Sequence, residues 1–162
     1  MEKLKIYLSA RISADAHQWN DTVCNSLDES RIEVFKPQEH NPYNLDHRGF
    51  QNDVYEKDLK AMQESNIGLL LPPYGRDCAW EVGWFSNSDK LIVVYVENDT
   101  EWLRDWMIKG GIDRVITPYE WLFELLKKDP IVSEKSQLIE SRSKLSDALL
   151  EIYREGRKVE NG

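Results

Sequence analysis

Residues 67–84 read IGLLLPPYGRDCAWEVGW, and this stretch decides the fold. Its first five residues, Ile67 to Leu71, are an uninterrupted apolar run, which is typical of a strand buried on both faces of a parallel sheet. The next five residues, Pro72 to Arg76, predict a turn, and a helix is predicted from about Cys78 to Ser86. A strand, a turn and a helix in succession form the repeating unit of α/β proteins, so the stretch predicts that fold class.

The same alternation continues in both directions along the chain. Further strands are predicted at 4–8, 32–35, 91–96 and 115–116, and further helices at 14–28, 52–64, 102–108, 118–127 and 134–156. We therefore predict a doubly wound parallel sheet of about five strands flanked by helices, which is a flavodoxin-like or Rossmann-like α/β fold. The chain is expected to form a single domain over residues 1–162, with a C-terminal helical tail at about 134–156.

The composition argues against several classes of protein. The chain has 162 residues and a net charge of -8, whereas a protein that binds nucleic acid usually presents a basic surface. Its apolar runs are too short to cross a membrane, and the residues after Met1 do not resemble a signal peptide. Two cysteines are too few for a disulfide framework. We expect a cytoplasmic protein with no nucleic-acid or membrane partner.

We also expect no metal or other cofactor. The three histidines, His17, His40 and His47, are too dispersed for a zinc site. The chain has neither a Gly-x-Gly-x-x-Gly motif nor a Walker loop, so the usual modes of dinucleotide and ATP binding lose support.

Polar and aromatic residues gather where three of the predicted strands end. They occupy residues 7–11, 35–48 and 72–81, and Asp53 and Asp58 add two carboxylates from the second helix. Ligands of doubly wound proteins bind outside the carboxyl ends of the strands. These residues therefore predict a pocket for a small molecule at that edge of the sheet.

Glu81 is the most informative residue of that group. It lies in the first turns of a helix that follows a buried strand, near the positive end of the helix dipole, and this position predicts an ionised carboxylate. Trp80 and Val82 beside it are apolar, so the charge needs a partner or a function. Taken alone, a Glu at this place is more often a solvated or capping residue, and the apolar neighbours are what favour a function.

Three segments together resemble a known family. They are residues 5–9 (KIYLS), residues 55–59 (YEKDL) running into 65–70 (SNIGLL), and residues 80–84 (WEVGW). Over about residues 3–96 the chain resembles the nucleoside 2-deoxyribosyltransferase superfamily, which includes the deoxynucleoside 5'-monophosphate N-glycosidases. The resemblance implies a small-molecule nucleoside or nucleotide substrate.

The resemblance implies roles for three catalytic residues. Glu81 would attack the anomeric carbon and form a glycosyl-enzyme ester, and Tyr7 would hold its carboxylate by a hydrogen bond. Asp58 would handle the proton or orient the substrate. These roles suit the chemistry, because cleavage of an N-glycosidic bond needs one carboxylate at the sugar and an acid for the departing base.

Six further residues are candidates for substrate binding: Ser9, Arg11, His47, Asp53, Gly75 and Asp77. Arg11 is expected either to bind a 5'-phosphate or to be a surface residue paired with Asp15. His47 could face the base. The family's acidic residue usually lies about six positions before the Glu, whereas Asp77 lies four before Glu81, so Asp77 either contacts the sugar hydroxyl or that contact is lost.

The function that the resemblance implies is a nucleoside 2-deoxyribosyltransferase, which moves deoxyribose to another base through a glycosyl-enzyme intermediate. Three alternatives stay open: a deoxynucleotide N-glycosidase that uses water, a TIR-like NAD glycohydrolase, and a non-catalytic nucleotide-binding sensor. We further predict a homodimer or larger homo-oligomer, because Trp102, Trp106 and Trp121 supply more apolar surface than one domain readily hides.

Overall fold

A computed structural model describes residues 2–40 and 51–156, with the side chains of residues 51 and 52 excluded. The strands are β1 (Leu4–Ala10), β2 (Ile32–Phe35), β3 (Ile67–Leu71), β4 (Leu91–Tyr95), β5 (Arg114–Thr117) and β6 (Ser136–Leu138). The helices are α1 (Ala14–Asn25), α2 (Gln51–Glu64), α3 (Arg76–Ser86), α4 (Trp106–Gly111), α5 (Glu120–Lys127) and α6 (Leu145–Glu155). Within these described ranges, no helix has the length and apolar character needed to cross a membrane.

The described strands form one parallel sheet in the order β2-β1-β3-β4-β5-β6. Both faces are covered: the side chains of α1 and α6 pack in one apolar core, and those of α2, α3, α4 and α5 pack in the other. Every residue of β3 and β4 is buried, as expected for central strands of a doubly wound sheet. The predicted α/β fold is confirmed, with six strands where about five were expected.

The predicted tail helix is shorter than expected, and residues 134–144 are not an α-helix. Residues 136–138 form β6 and pair with β5, and α6 begins only at Leu145. Serine side chains compete for backbone hydrogen bonds and disfavour helix interiors, and Ser136 Oγ donates to the carbonyl oxygen of Val132 at 2.7 Å. The helix predicted at 102–108 also differs from the structure. It is divided at Asp105, which lies outside helical geometry, into a short 3-10 turn, Glu101–Arg104, and α4.

Gly68 lies at the centre of β3, opposite Tyr7 of β1 and Ile92 of β4. A Cβ atom at this position would lie 2.7 Å from Cε2 of Phe85, a residue of α3. The missing side chain therefore allows the Phe85 ring to pack directly on the sheet. Phe85 is fully buried, and its contact sets how closely α3 approaches β3.

An ion pair between the buried Glu97 and the half-buried Arg142 joins the end of β4 to the segment that precedes α6. The Arg142 guanidinium donates to both oxygens of Glu97, at 2.6 and 2.8 Å, and the Tyr95 hydroxyl donates to Glu97 at 2.7 Å. The guanidinium also lies 5.7 Å from the centre of the Trp19 ring of α1. Bidentate pairs of this kind hold both partners in a defined orientation, so Arg142 fixes the C-terminal segment against β4 and α1.

Candidate active site

A cavity of about 400 Å³ opens at the carboxyl ends of β1 and β3. The sheet order changes direction at this point, since the chain runs from β1 outward to β2 and then returns past β1 to β3. Such a switch point is the usual ligand site of doubly wound sheets. Six of the site residues predicted from the sequence line the cavity: Tyr7, Arg11, Asp58, Gly75, Asp77 and Glu81.

The carboxylate of Glu81 is held from β1. Ser9, which is fully buried at the end of that strand, donates its hydroxyl to Glu81 Oε1 at 3.0 Å. The Tyr7 hydroxyl is buried next to the same carboxylate, and of the two hydroxyls only that of Ser9 meets hydrogen-bonding geometry. The short connection after β3 places Glu81 in the second turn of α3. Because β1 and β3 are adjacent and parallel, the end of β1 lies beside this carboxylate.

Burial raises the pKa of Glu81 from 4.5 to about 7, and the negative charges of Asp58 and Asp77 add to the increase. The hydroxyls of Tyr7 and Ser9 act in the opposite direction and lower the pKa of Glu81. The helix dipole was expected to keep Glu81 ionised, and burial opposes that effect. The dipole acts mainly on the first turn, and Glu81 lies one turn further, where the loss of solvent contributes more.

Tyr7 remains a proton donor at neutral pH. Burial raises its pKa above the usual value of 10, and the neighbouring charges of Glu81 and Asp58 raise the pKa further. A protonated hydroxyl favours the ionised form of a carboxylate beside it. Tyr7 therefore favours the charged form of Glu81, against the effect of burial.

Asp58 enters the same space from α2. Its side chain is partly buried, it lines the cavity opposite Glu81, and its charge contributes to the raised pKa values of Glu81 and Tyr7. The structure thus brings the three predicted catalytic residues together from three separate elements: β1, α2 and α3.

A second cavity of about 360 Å³ shares Asp58, Asp77 and Glu81 with the first. Its remaining lining is apolar or aromatic: Val54, Tyr55, Leu59, Met62 and Trp80. Tyr55 and Trp80 meet edge to face with their ring centres 6.1 Å apart. Flat aromatic surfaces next to a few polar groups are typical of sites that bind heteroaromatic ligands.

The other predicted binding residues have different outcomes. Arg11, Gly75 and Asp77 line the first cavity, and Ser9 donates a hydrogen bond to Glu81. Asp53 is exposed in the first turn of α2 and lines neither cavity, because residues 53 and 58 face different sides of the helix. His47 lies outside the described residues.

Sequence reasoning did not identify Tyr55, Trp80 and Arg76 as lining residues. A signal for the first two was present, since Tyr55 precedes Asp58 by three residues and Trp80 adjoins Glu81, so both lie on helices that carry candidate carboxylates.

No group of three histidine, cysteine or acidic side chains within residues 2–40 and 51–156 is arranged to hold a metal ion.

Comparison with known proteins agrees with this geometry. Residues 3–100, more than half of the chain, match the model of a family described as nucleoside 2-deoxyribosyltransferase like. The chain belongs to this family. The matched region contains Tyr7, Asp58 and Glu81 and ends shortly after β4. No curated protein sequence matches the chain.

A solved structure also resembles this member of the nucleoside 2-deoxyribosyltransferase-like family. It belongs to a 2-deoxyribosyltransferase from the psychrotolerant bacterium Bacillus psychrosaccharolyticus, with 18% sequence identity and a TM-score of 0.55. The match covers 68% of this chain and 84% of that chain. At this identity the similarity shows a shared fold.

Proposed function

We propose that the protein is a nucleoside 2-deoxyribosyltransferase, which cleaves the N-glycosidic bond of a 2'-deoxynucleoside and transfers the sugar to another base. The observation that carries the proposal is the carboxylate of Glu81, half-buried at the switch point beside Ser9 and Tyr7, with Asp58 lining the same cavity. An arrangement that places a nucleophile and a possible proton donor on one cavity suits glycosyl transfer.

In the first step, the ionised carboxylate of Glu81 attacks C1' of the sugar and forms an ester. The bond between C1' and the base nitrogen breaks, its electron pair stays on the base, and Asp58 in its acid form donates a proton to the base. In the second step, a nitrogen of another base attacks C1', its proton returns to Asp58, and the carboxylate of Glu81 leaves. The aromatic cavity beside Asp58 offers a surface for the departing and the entering base.

A base-exchange assay tests this function. The protein is incubated with deoxyinosine and free adenine or cytosine, and transfer yields the new deoxynucleoside. If only deoxyribose and free base appear, the reaction is hydrolysis and the transfer step is wrong. Cleavage of NAD alone would favour an NAD glycohydrolase, and binding without any product over hours would favour a sensor.

The pH dependence of the reaction follows from the pKa of Glu81. A nucleophile must be ionised, so kcat/KM is expected to fall about tenfold per pH unit below an apparent pKa near 7. Tyr7→Phe should move this fall in kcat/KM to higher pH, since the Tyr7 hydroxyl lowers the pKa of Glu81. Asp77→Asn should move it to lower pH, since the Asp77 charge raises that pKa. Rate profiles with an unphosphorylated deoxynucleoside measure both shifts, and equal or reversed shifts would contradict the assigned electrostatics.

Asp58→Asn is expected to slow the release of poor leaving groups far more than that of activated bases. An amide cannot donate the proton that a poor leaving group needs, and general acid catalysis typically contributes about 10²- to 10⁴-fold. The measurement is kcat/KM for a natural and an activated base, with Glu56→Gln as a control on the exposed side of α2. An equal loss for both bases would assign Asp58 to substrate orientation.

We further propose a homodimer or larger homo-oligomer, with a correction to the residues involved. Trp102 is only 3% exposed and belongs to the core, so it cannot form an interface, whereas Trp106 and Met107 of α4 are 73% and 90% exposed. Together with Ala79 of α3, these two side chains line an apolar groove beside the mouth of the cleft, which we call the α3–α4 surface. Exposed aromatic and methionine side chains are enriched at protein interfaces.

Light scattering at micromolar concentration should therefore give a mass of at least twice 19.0 kDa. Met107→Glu should lower that mass towards the monomer, because it places a charge on the α3–α4 surface, where Met107 is 90% exposed. Trp121→Glu is the matched control, since Trp121 is 54% exposed on α5. A monomeric wild-type protein would refute the proposal, and dissociation by Trp121→Glu alone would place the interface on α5.

A further inference from the structure

We infer that Tyr74 and Asp105 are positioning residues for the glycosyl transfer proposed above, and the inference rests on that proposed function. They hold residues 74–76, which end the connection from β3 and start α3 and which we call the dividing wall. Gly75 and Arg76 line the first cavity, and the same two residues line the groove of the α3–α4 surface. The dividing wall thus separates two cavities, so the shape of the first cavity depends on how these residues are anchored.

A hydrogen bond joins the dividing wall to the turn before α4. The Tyr74 hydroxyl donates to Oδ2 of Asp105, and both side chains are partly buried. Burial raises the pKa of Tyr74 above its usual value of 10, and the hydrogen bond to Asp105 and the charge of Asp105 raise the pKa further, so the hydroxyl stays protonated. A hydrogen bond to a carboxylate is stronger than one between two neutral groups. The dividing wall is therefore attached to α4 through Tyr74 at neutral pH.

Asp105 is itself held in place by the elements around it. Its backbone N–H donates to the carbonyl oxygen of Trp102 at 3.0 Å, and its own carbonyl oxygen accepts a hydrogen bond of 3.0 Å from the backbone N–H of Lys109. Trp102 and Lys109 are both buried, and the Lys109 ammonium donates to Asp129 at 2.7 Å. Because its backbone is bonded to two buried residues, Asp105 offers Tyr74 a fixed acceptor.

The dividing wall leads directly into the part of α3 that lines the site. Gly75 is the N-cap residue of α3, and its carbonyl oxygen accepts a hydrogen bond of 3.2 Å from the backbone N–H of Cys78. Asp77 follows in the first turn and lines both the first and the second cavity, and Glu81 lies one turn later. The side chains of Arg76 and Asp77 are exposed, so their burial does not fix the start of the helix. Release of the dividing wall would shift this start, and a misplacement of about 1 Å near reacting groups can cost about 10²-fold in rate.

The pKa of Glu81 reports the position of the dividing wall. Among the described residues, the groups that act on Glu81 come from three elements: Tyr7 and Ser9 of β1, Asp58 of α2, and Asp77 and Cys78 of α3. Asp77 adjoins the dividing wall, and its charge raises the pKa of Glu81. Release of the dividing wall would move Asp77 away and admit water, and both changes would lower the pKa of Glu81 towards its ordinary value of 4.5.

Tyr74→Phe tests the inference, because it removes the hydroxyl and keeps the ring. With a deoxynucleoside and a free base as substrates, kcat should fall about tenfold, and the fall in kcat/KM at acid pH should move to lower pH by about half a unit. Asp105→Ala should have the same two effects, and the double variant should lose no more than either single variant, since all three lack the same bond. Asp105→Asn should restore both properties, because an amide oxygen still accepts the hydrogen bond.

Tyr119→Phe is the matched control. The Tyr119 hydroxyl donates to Glu97 at 3.5 Å, so this change also removes a hydrogen bond between a tyrosine and a carboxylate. Neither residue lines the first or the second cavity. The kcat and the pH profile of this variant should equal those of the wild type.

NMR titration of the Glu81 carboxyl separates failure of this inference from failure of the proposed function, because it needs no turnover. The pKa of Glu81 should be lowered in Tyr74→Phe and Asp105→Ala and unchanged in Asp105→Asn and Tyr119→Phe. An unchanged pKa in the first two variants, or a loss of kcat without a shift of the pH profile, would overturn the inference and leave glycosyl transfer intact. A lowered pKa in these variants of a protein whose wild type cleaves no deoxynucleoside would instead refute the proposed function and leave the positioning of Glu81 intact.

Discussion

Glu81→Gln should lower turnover by at least about 10³-fold, the largest effect on activity expected for any single change in this protein. Glutamine keeps the size of the side chain and can still contact Ser9, but its amide oxygen is too weak a nucleophile to form a stable ester with C1'. Removal of a nucleophile typically costs several orders of magnitude in kcat, because a water molecule is not held at the attacking position as a side chain of the protein is.

The measurement is single-turnover cleavage with mass spectrometry of the protein. Wild-type protein should accumulate an adduct of the sugar on the peptide that contains Glu81, and the variant should show none. Asp89→Asn, an exposed change on the loop after α3, is the control. A Glu81→Gln variant that retains a tenth of the wild-type rate would show that Glu81 is not the nucleophile.

The same variant should be more stable than the wild type at neutral and alkaline pH. The folded-state pKa of Glu81, about 7, lies above the unfolded value of 4.5, so the stability linked to its proton is full below pH 4.5 and is lost as the pH rises through 7. The advantage of glutamine should therefore appear between these values and reach on the order of 3 kcal/mol above pH 7. Denaturant unfolding at pH 4.5 and pH 8 measures it, and an equal difference at both values would contradict the raised pKa.

Gly68→Ala should destabilise the fold by about 3 kcal/mol, which is at the upper end of the range for overpacked cores. The new methyl group would lie 2.7 and 2.8 Å from two atoms of the Phe85 ring and 3.0 Å from Cδ1 of Ile92. An aromatic ring between a sheet and a helix cannot move aside easily, so α3 must shift. Because Glu81 lies one turn before Phe85 on α3, its distance from Ser9 changes as well, and activity should fall with stability.

Denaturant unfolding and kcat measured on the folded fraction check this prediction. Gly110→Ala is the matched control, since Gly110 lies in α4 with no atom within 4 Å of an added Cβ. That change should be neutral or stabilise the protein by up to about 1 kcal/mol, as expected for alanine in an exposed helix. A Gly68→Ala variant as stable as the wild type would mean that α3 can move away from β3 without loss of packing.

The sequence predicted those parts of the fold that have a strong local pattern. Apolar strands such as Ile67–Leu71 and amphipathic helices are recognisable from their periodicity, and the position of Glu81 after a buried strand indicated its importance. β6 was not predicted, because three residues are too few to show an alternating pattern, and Leu138 and Leu145 are seven residues apart as in a helix.

Other features of the site depend on contacts between distant residues. The pKa of Glu81 depends mainly on its burial where α3 packs against β1 and β3, and a dipole argument based on its position along the helix does not include that burial. Similarly, Trp102 and Trp106 look alike in the sequence, and only tertiary packing buries the first and exposes the second. The aromatic cavity requires that α2 and α3 lie side by side, which no local pattern indicates.

The Glu97–Arg142 pair has a consequence for where the protein can be divided. A fragment truncated after residue 100 would keep the whole family match and all three candidate catalytic residues. It would also lose β5, which exposes the hydrogen-bonding edge of β4, and Arg142, which holds the segment before α6 against Glu97; the core residues Leu145, Leu149 and Ile152 of α6 would go with it. We therefore expect the smallest autonomous folding unit to extend to α6, more than forty residues beyond the boundary drawn by sequence similarity.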